Sequence, residues 1–149
     1  MRKTLPFVVT FVLTLAAFGV AHGAGSKKKV VTPKDFPAGR PFSAGIQVGD
    51  TLYVSGQTGS DPKTGKVPEN FEDEVKQCLA NVRNILQAGG MDFSDAVSVQ
   101  VYLTDIGTFP RMNAVYTATF PEPRPTRTTV GVAGLSGGAH IEITVTARK

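Results

Sequence analysis

An α+β domain, with two helices packed on one face of a sheet, is the fold class this sequence predicts. Three observations carry the prediction. From Pro41 onward, short strands are followed by a helix, and the pattern occurs twice. Between Glu69 and Ala88, the residues Phe71, Val75, Leu79, Val82, Ile85 and Leu86 recur at helical spacing. Near the C-terminus, Ile141, Ile143, Val145 and Ala147 alternate with His140, Glu142, Thr144 and Thr146, the period of a half-buried strand. The 149 residues suffice for one such domain and are too few for two.

Taken in order, the chain opens with a segment outside that fold. Arg2 and Lys3 precede an apolar run from Leu5 to Val20, and Ala21-His22-Gly23 sets small residues ahead of a cut before Ala24. This is the layout of a secretory signal peptide over residues 1–23. The run spans 16 residues, short of the roughly 20 that a retained membrane anchor needs. No Cys follows it to carry a lipid, so the mature protein is expected to be soluble, and periplasmic or secreted. Residues 24–36 hold Gly, Ser, Lys and Pro without periodicity and read as a flexible tail, leaving a domain over 37–149.

Within the domain, Phe42, Ala44 and Ile46 alternate with Ser43, Gly45 and Gln47. After the turn Val48-Gly49-Asp50, Leu52 to Ser55 completes a hairpin. Asp61-Pro62-Lys63-Thr64-Gly65 is turn chemistry. The first helix starts among acids and stops at Gly89-Gly90. Ala96 to Leu103 reads as a strand, with Val97, Val99 and Val101 alternating with polar residues. A second helix, Phe109 to Phe120, carries Met112, Val115, Tyr116 and Thr119 at helical spacing until Pro121-Glu122-Pro123 stops it. Arg127 to Val132 and His140 to Ala147 are the last strands. The sheet face away from the helices is only partly polar, so a homo-oligomer that buries it is expected.

Composition narrows the chemistry. With 41% hydrophobic and 19% charged residues, neither disorder nor a multi-span membrane protein fits. Loss of Arg2 and Lys3 lowers the formal net charge from +4 to +2. Lys27, Lys28 and Lys29 sit in the tail, so the folded part is near neutral and no nucleic-acid partner is expected. His22 leaves with the leader, so the mature chain holds one histidine, His140, and one cysteine, Cys78. One chain can then form neither an internal disulfide nor a Cys/His zinc cluster, and any Ser-His-Asp or Cys-His catalysis would run through His140. Cys78, beside Leu79 on the first helix, reads as a small core residue rather than a reactive thiol. His140 reads as a polar rim residue at a strand start, with tuning of Glu142 or proton shuttling as the other role open to it.

The last two strands each carry one charge on the face opposite their apolar residues. Thr128, Val130 and Val132 share one side, leaving Arg127, Thr129 and Gly131 on the other. If the apolar sides both meet the helices, Arg127 and Glu142 lie over one surface, whether the strands are neighbours or a third intervenes. A guanidinium grips a carboxylate through two parallel hydrogen bonds, and a nearby carboxylate can orient and deprotonate water. Together they suit hydrolysis of a substrate with a carboxylate beside an electrophilic carbon. A plain cross-sheet salt bridge is the ordinary reading of the same pair.

Pro125-Thr126-Arg127-Thr128-Thr129-Val130-Gly131-Val132, then Leu135, then Ile141-Glu142-Ile143 resembles the C-terminal signature of the RidA/YjgF family, also labelled endoribonuclease L-PSP. Gly39-Arg40-Pro41-Phe42-Ser43, Tyr53-Val54-Ser55-Gly56-Gln57, Pro62-Lys63-Thr64-Gly65 and Asn113-Ala114-Val115-Tyr116 resemble its earlier motifs, in order, from about Pro37 to the C-terminus. The resemblance implies a chorismate-mutase-like α+β fold with a mixed sheet, assembled as a homotrimer with ligand clefts at subunit interfaces. It also implies a 2-iminobutanoate/2-iminopropanoate deaminase-type hydrolase, converting enamines and imines such as 2-aminoacrylate to 2-keto acids and ammonia without metal or cofactor. The family's carboxylate-binding arginine falls on Arg127 and its water-orienting glutamate on Glu142. Phe42, Ser55, Gly56, Asn113 and Thr129 fall on substrate-contacting positions. Phe42 and Thr129 depart from the commonest pattern, Tyr and Cys, which leaves substrate preference open. A non-catalytic carboxylate-binding or chaperone-like stress protein is the alternative, and an endoribonuclease a more distant one.

Overall fold

The computed structural model describes residues 27–149; the signal peptide expected over residues 1–23 lies outside them. In chain order the elements are strands β1 (Lys29–Val31), β2 (Gly45–Val48) and β3 (Thr51–Thr58), helix α1 (Phe71–Ala88), strand β4 (Ala96–Leu103), helix α2 (Phe109–Thr119), and strands β5 (Thr126–Gly131) and β6 (Ile141–Arg148). The strands form one mixed sheet in the order β1-β2-β3-β6-β4-β5, antiparallel throughout except for the parallel β4–β5 pair. The predicted α+β class is the class observed.

Local chemistry explains the main elements. The β2–β3 hairpin closes on Gly49-Asp50, and Gly49 takes φ +57°, a left-handed turn position that favours glycine. Asn70 caps α1, its side-chain oxygen accepting from the Asp73 N–H at 3.0 Å, and Glu72, Asp73 and Glu74 fill the positive first turn. Val75, Cys78, Leu79, Val82, Ile85 and Leu86 line the buried side of α1, which packs on β3 and β6. Each large aliphatic side chain buried there contributes about 1.5–3 kcal/mol. From the sheet, Leu52, Val54, Val99, Val101, Leu103, Ile141, Ile143 and Val145 complete this one core.

Part of the expected tail is sheet. Lys29–Val31 pair with Gln47–Gly45, and Val31 is buried. The lysines around this segment obscure it, because an edge strand docks with a single inward side chain and needs no apolar run.

The larger correction concerns β5. Arg127 is level with Val99 of β4 and, through it, with Val145 of β6. Thr129 is likewise level with Val101 and Ile143. Residues side by side in a sheet point the same way, so Arg127 and Thr129 face the helix side. Glu142 is level with Tyr102 and Val130, on the open side. The expectation that Arg127 and Glu142 share a surface is therefore overturned. The alternation along each strand is as read. The inference that the Thr128–Val130 side meets the helices is not, for Val130 is 41% exposed on the open face. Two strand spacings and three residues along the strand separate Arg127 from Glu142, roughly 14 Å between Cα atoms before their opposite orientations are counted.

Candidate active site

The predicted site residues fall into two groups. The first lies where β3 passes β6. Register shifts between Val54, opposite Val145, and Gln57, opposite Ile143, so Ser55 and Gly56 together face the single residue Thr144. This is a β-bulge, which bends the strand and re-aims neighbouring groups. The Gln57 side-chain amide braces it, donating to the carbonyls of Ser55 at 2.9 Å and Gly56 at 3.0 Å. The bulge brings the Gly56 backbone under the Glu142 carboxylate so closely that a Cβ at Gly56 would overlap it.

Gly56 and Glu142 open into a cleft of about 550 Å³, whose wall includes Phe36 and Phe42. Phe42 is half exposed and meets Phe36 edge-on at 6.2 Å. Ser55, expected to contact substrate, does not line this cleft. Its hydroxyl donates to the Ser43 carbonyl at 2.7 Å and its N–H to Ala44 at 2.9 Å. Those bonds fasten the loop that carries Phe42, so Ser55 shapes the wall.

The second group sits between β5 and α2. The Arg127 guanidinium lies 4.4 Å from the Tyr116 ring centroid and 5.3 Å from that of Phe109. One of its nitrogens, Nη1, donates to the Asn113 side-chain oxygen at 2.9 Å. Among the described residues it forms no ion pair, and neither does Glu142. A salt bridge between the two is thus absent, and most of the guanidinium's donors remain available. Close by, the hydroxyls of Tyr116 and Thr129 are buried without a hydrogen-bond partner, the two such side-chain atoms among the described residues. Leaving a buried hydroxyl unpaired costs about 1–3 kcal/mol. Burial raises the Tyr116 phenol's pKa, partly offset by the Arg127 charge, so the hydroxyl stays protonated and able to donate.

Sequence reasoning missed the two rings beneath Arg127. Phe109 and Tyr116 read as helix residues, and only the placement of α2 along β5 shows what they hold. The remaining candidates behave structurally. Cys78 is fully buried, donates to the Gln57 carbonyl at 2.9 Å, and burial pushes its thiol pKa far up. His140 pairs with Glu74 through Nδ1 at 2.9 Å. Its side chain is largely exposed, the rim placement expected of it. Among the described residues, no cluster of three or more His, Cys, Asp or Glu could hold a metal ion.

The fold and the two groups define a small mixed-sheet α+β protein, with an unpaired guanidinium on one side of the sheet and a cleft carboxylate on the other. A family profile described as Endoribonuclease L-PSP matches residues 32–149. The chain belongs to this family, the RidA/YjgF proteins. A RutC family protein of Saccharolobus solfataricus is 44% identical over 110 residues, covering 73% of this chain and 87% of its own length. The 2-iminobutanoate/2-iminopropanoate deaminase of Mus musculus is 39% identical over 118 residues, covering 78% of this chain and 87% of its own. The crystal structure of E. coli TdcF with bound serine has a TM-score of 0.76 at 32% identity, covering 81% of this chain and 98% of that one.

Proposed function

We propose that this protein hydrolyses reactive enamines and imines bearing a carboxylate, of the 2-aminoacrylate and 2-iminopropanoate class, to 2-keto acids and ammonia. The observation that carries the reading is the unpaired Arg127 guanidinium, held by Asn113 and two aromatic rings beside orphaned hydroxyls. Such a fork fits a small carboxylate. The named deaminase relative and the serine-bound neighbour agree with a small amino or imino acid as ligand.

Arg127 and Glu142 act on one substrate only if different subunits supply them, because one chain holds them on opposite sheet faces. The assembly is therefore a homo-oligomer, a trimer on the family pattern, in which Arg127 of one subunit meets Glu142 of the partner subunit. Its leader is removed on export, and the mature protein is periplasmic or secreted.

In the reaction, Arg127 grips the substrate carboxylate and fixes C2 in the cleft. An enamine first moves a proton from nitrogen to its terminal carbon and becomes the imine. Glu142 takes a proton from water as the oxygen bonds to C2, and returns it to the substrate nitrogen. The resulting carbinolamine passes its O–H proton to the nitrogen as the C–N bond breaks, giving the keto acid and ammonia. Positioning supplies much of the acceleration, since an imine is already electrophilic.

The test is imine hydrolysis by purified mature protein, with 2-iminopropanoate made in situ by an amino-acid oxidase and residual imine trapped by semicarbazide. Arg127→Ala removes charge-assisted bonds of about 1.5–3 kcal/mol each, so kcat/KM should fall about a hundredfold or more. Wild-type turnover by Arg127→Ala would refute the reading. No turnover by wild type with any small imino acid would leave the carboxylate-binding alternative.

A further inference from the structure

Glu74 has no part in the site described above, yet it is the one buried charged side chain among the described residues, 1% exposed. Its Oε1 accepts from the backbone N–H of His140 at 2.6 Å and of Ile141 at 3.2 Å, and its Oε2 pairs with His140 Nδ1 at 2.9 Å. Those two amides immediately precede Glu142. Across the seam, Thr58 is level with Glu142, and the next residue, Gly59, lies so close to Glu74 that a Cβ there would overlap it. One carboxylate thus fastens the first turn of α1 to the start of β6, beside the end of β3, the two strands that carry Glu142 and Gly56.

We propose that Glu74 is a positioning residue for Glu142, holding the first residues of β6 so that the Glu142 carboxylate stays seated over Gly56. Burying a carboxylate is costly unless donors satisfy it, and an apolar side chain would fill the same space in this helix face. What the carboxylate adds is two backbone anchors at the one strand end whose placement sets the catalytic group. A leucine could pack there and would supply neither. The inference rests on the deaminase reading for its kinetic consequence and on the backbone anchors alone for its structural one.

The experiment compares Glu74→Leu with Glu74→Gln in the full mature protein, reading kcat and KM for 2-iminopropanoate together with amide hydrogen exchange. Glu74→Gln keeps an acceptor oxygen for both amides and should retain most of wild-type kcat. Glu74→Leu loses it, and kcat should fall on the order of tenfold to a hundredfold through misplacement of Glu142. KM should hold, since Arg127 is untouched, and the amides of residues 141–143 should exchange faster in the leucine variant only. Should Glu74→Leu not fold, Glu74→Asp withdraws the same carboxylate by one methylene and carries the same prediction. Wild-type kcat with unchanged exchange in the folded variant would overturn the proposal, as would equal loss in Glu74→Gln. If the wild-type protein hydrolyses no imine, the functional reading fails separately, and the exchange data alone decide whether Glu74 anchors β6.

Discussion

Gly56→Ala adds one methyl group where β3 bulges beneath Glu142. The new Cβ would overlap the Glu142 carboxylate, and carbon and oxygen in ordinary contact stay about 3.5 Å apart. The carboxylate must therefore retreat by roughly 1 Å or more, or β3 must move away from β6. A misplacement of that size at a reacting group costs about a hundredfold in rate, equivalent to about 2.7 kcal/mol of barrier. The substitution leaves the Arg127, Asn113 and Thr129 group alone, so the loss should fall on kcat while KM changes little. The assay is the semicarbazide-trapped hydrolysis of 2-iminopropanoate, with a thermal melt beside it to establish that the variant is folded. A folded Gly56→Ala protein with kcat within about twofold of wild type would show that Glu142 need not sit over Gly56 for turnover. That result would refute the placement of Glu142 as the water-activating group.

Two further outcomes follow from the same arrangement. Arg127→Ala and Glu142→Gln should each be nearly inactive alone, but subunits of both kinds, unfolded and reassembled together at equal amounts, should recover activity. In a ring where each cleft joins neighbouring subunits, random mixing restores about a quarter of the clefts; no recovery on mixing, with light scattering showing assembled protein, would mean that the two residues do not meet across an interface. Expression of the full chain in a bacterial host followed by fractionation should place a shortened protein beginning at Ala24 in the periplasm, read by N-terminal sequencing, and retention of Met1 on cytoplasmic protein would remove the export proposal.

Much of the site was legible in the sequence because strand alternation is a local property. Arg127 and Thr129 share a side of β5, and Glu142 shares a side of β6 with Thr144 and Thr146, as the period of two requires. The helix carrying Val75, Leu79 and Val82 was equally plain, since its spacing, acidic start and glycine stop agree with one another. The family motifs pointed to the same residues, and the family itself is borne out.

What alternation cannot say is which of a strand's two sides looks toward the helices. For β6 the choice is unambiguous, because four fully buried aliphatic side chains lie on one side and polar residues on the other. For β5 the apolar side, with Val130, is the exposed one, and the charged side packs beneath α2 on Phe109 and Tyr116. That outcome depends on β4 lying between β5 and β6, and on α2 bringing Phe109, Asn113 and Tyr116 against Arg127, both long-range facts. The contact of Gly56 with Glu142 and the bonds from Glu74 to His140 and Ile141 join residues far apart in the chain. The sequence by itself determined every element but β1, their alternation and the residues worth watching. Only the tertiary structure decided which of them stand together, because strand order and helix placement follow from burying the whole core at once rather than from any local pattern.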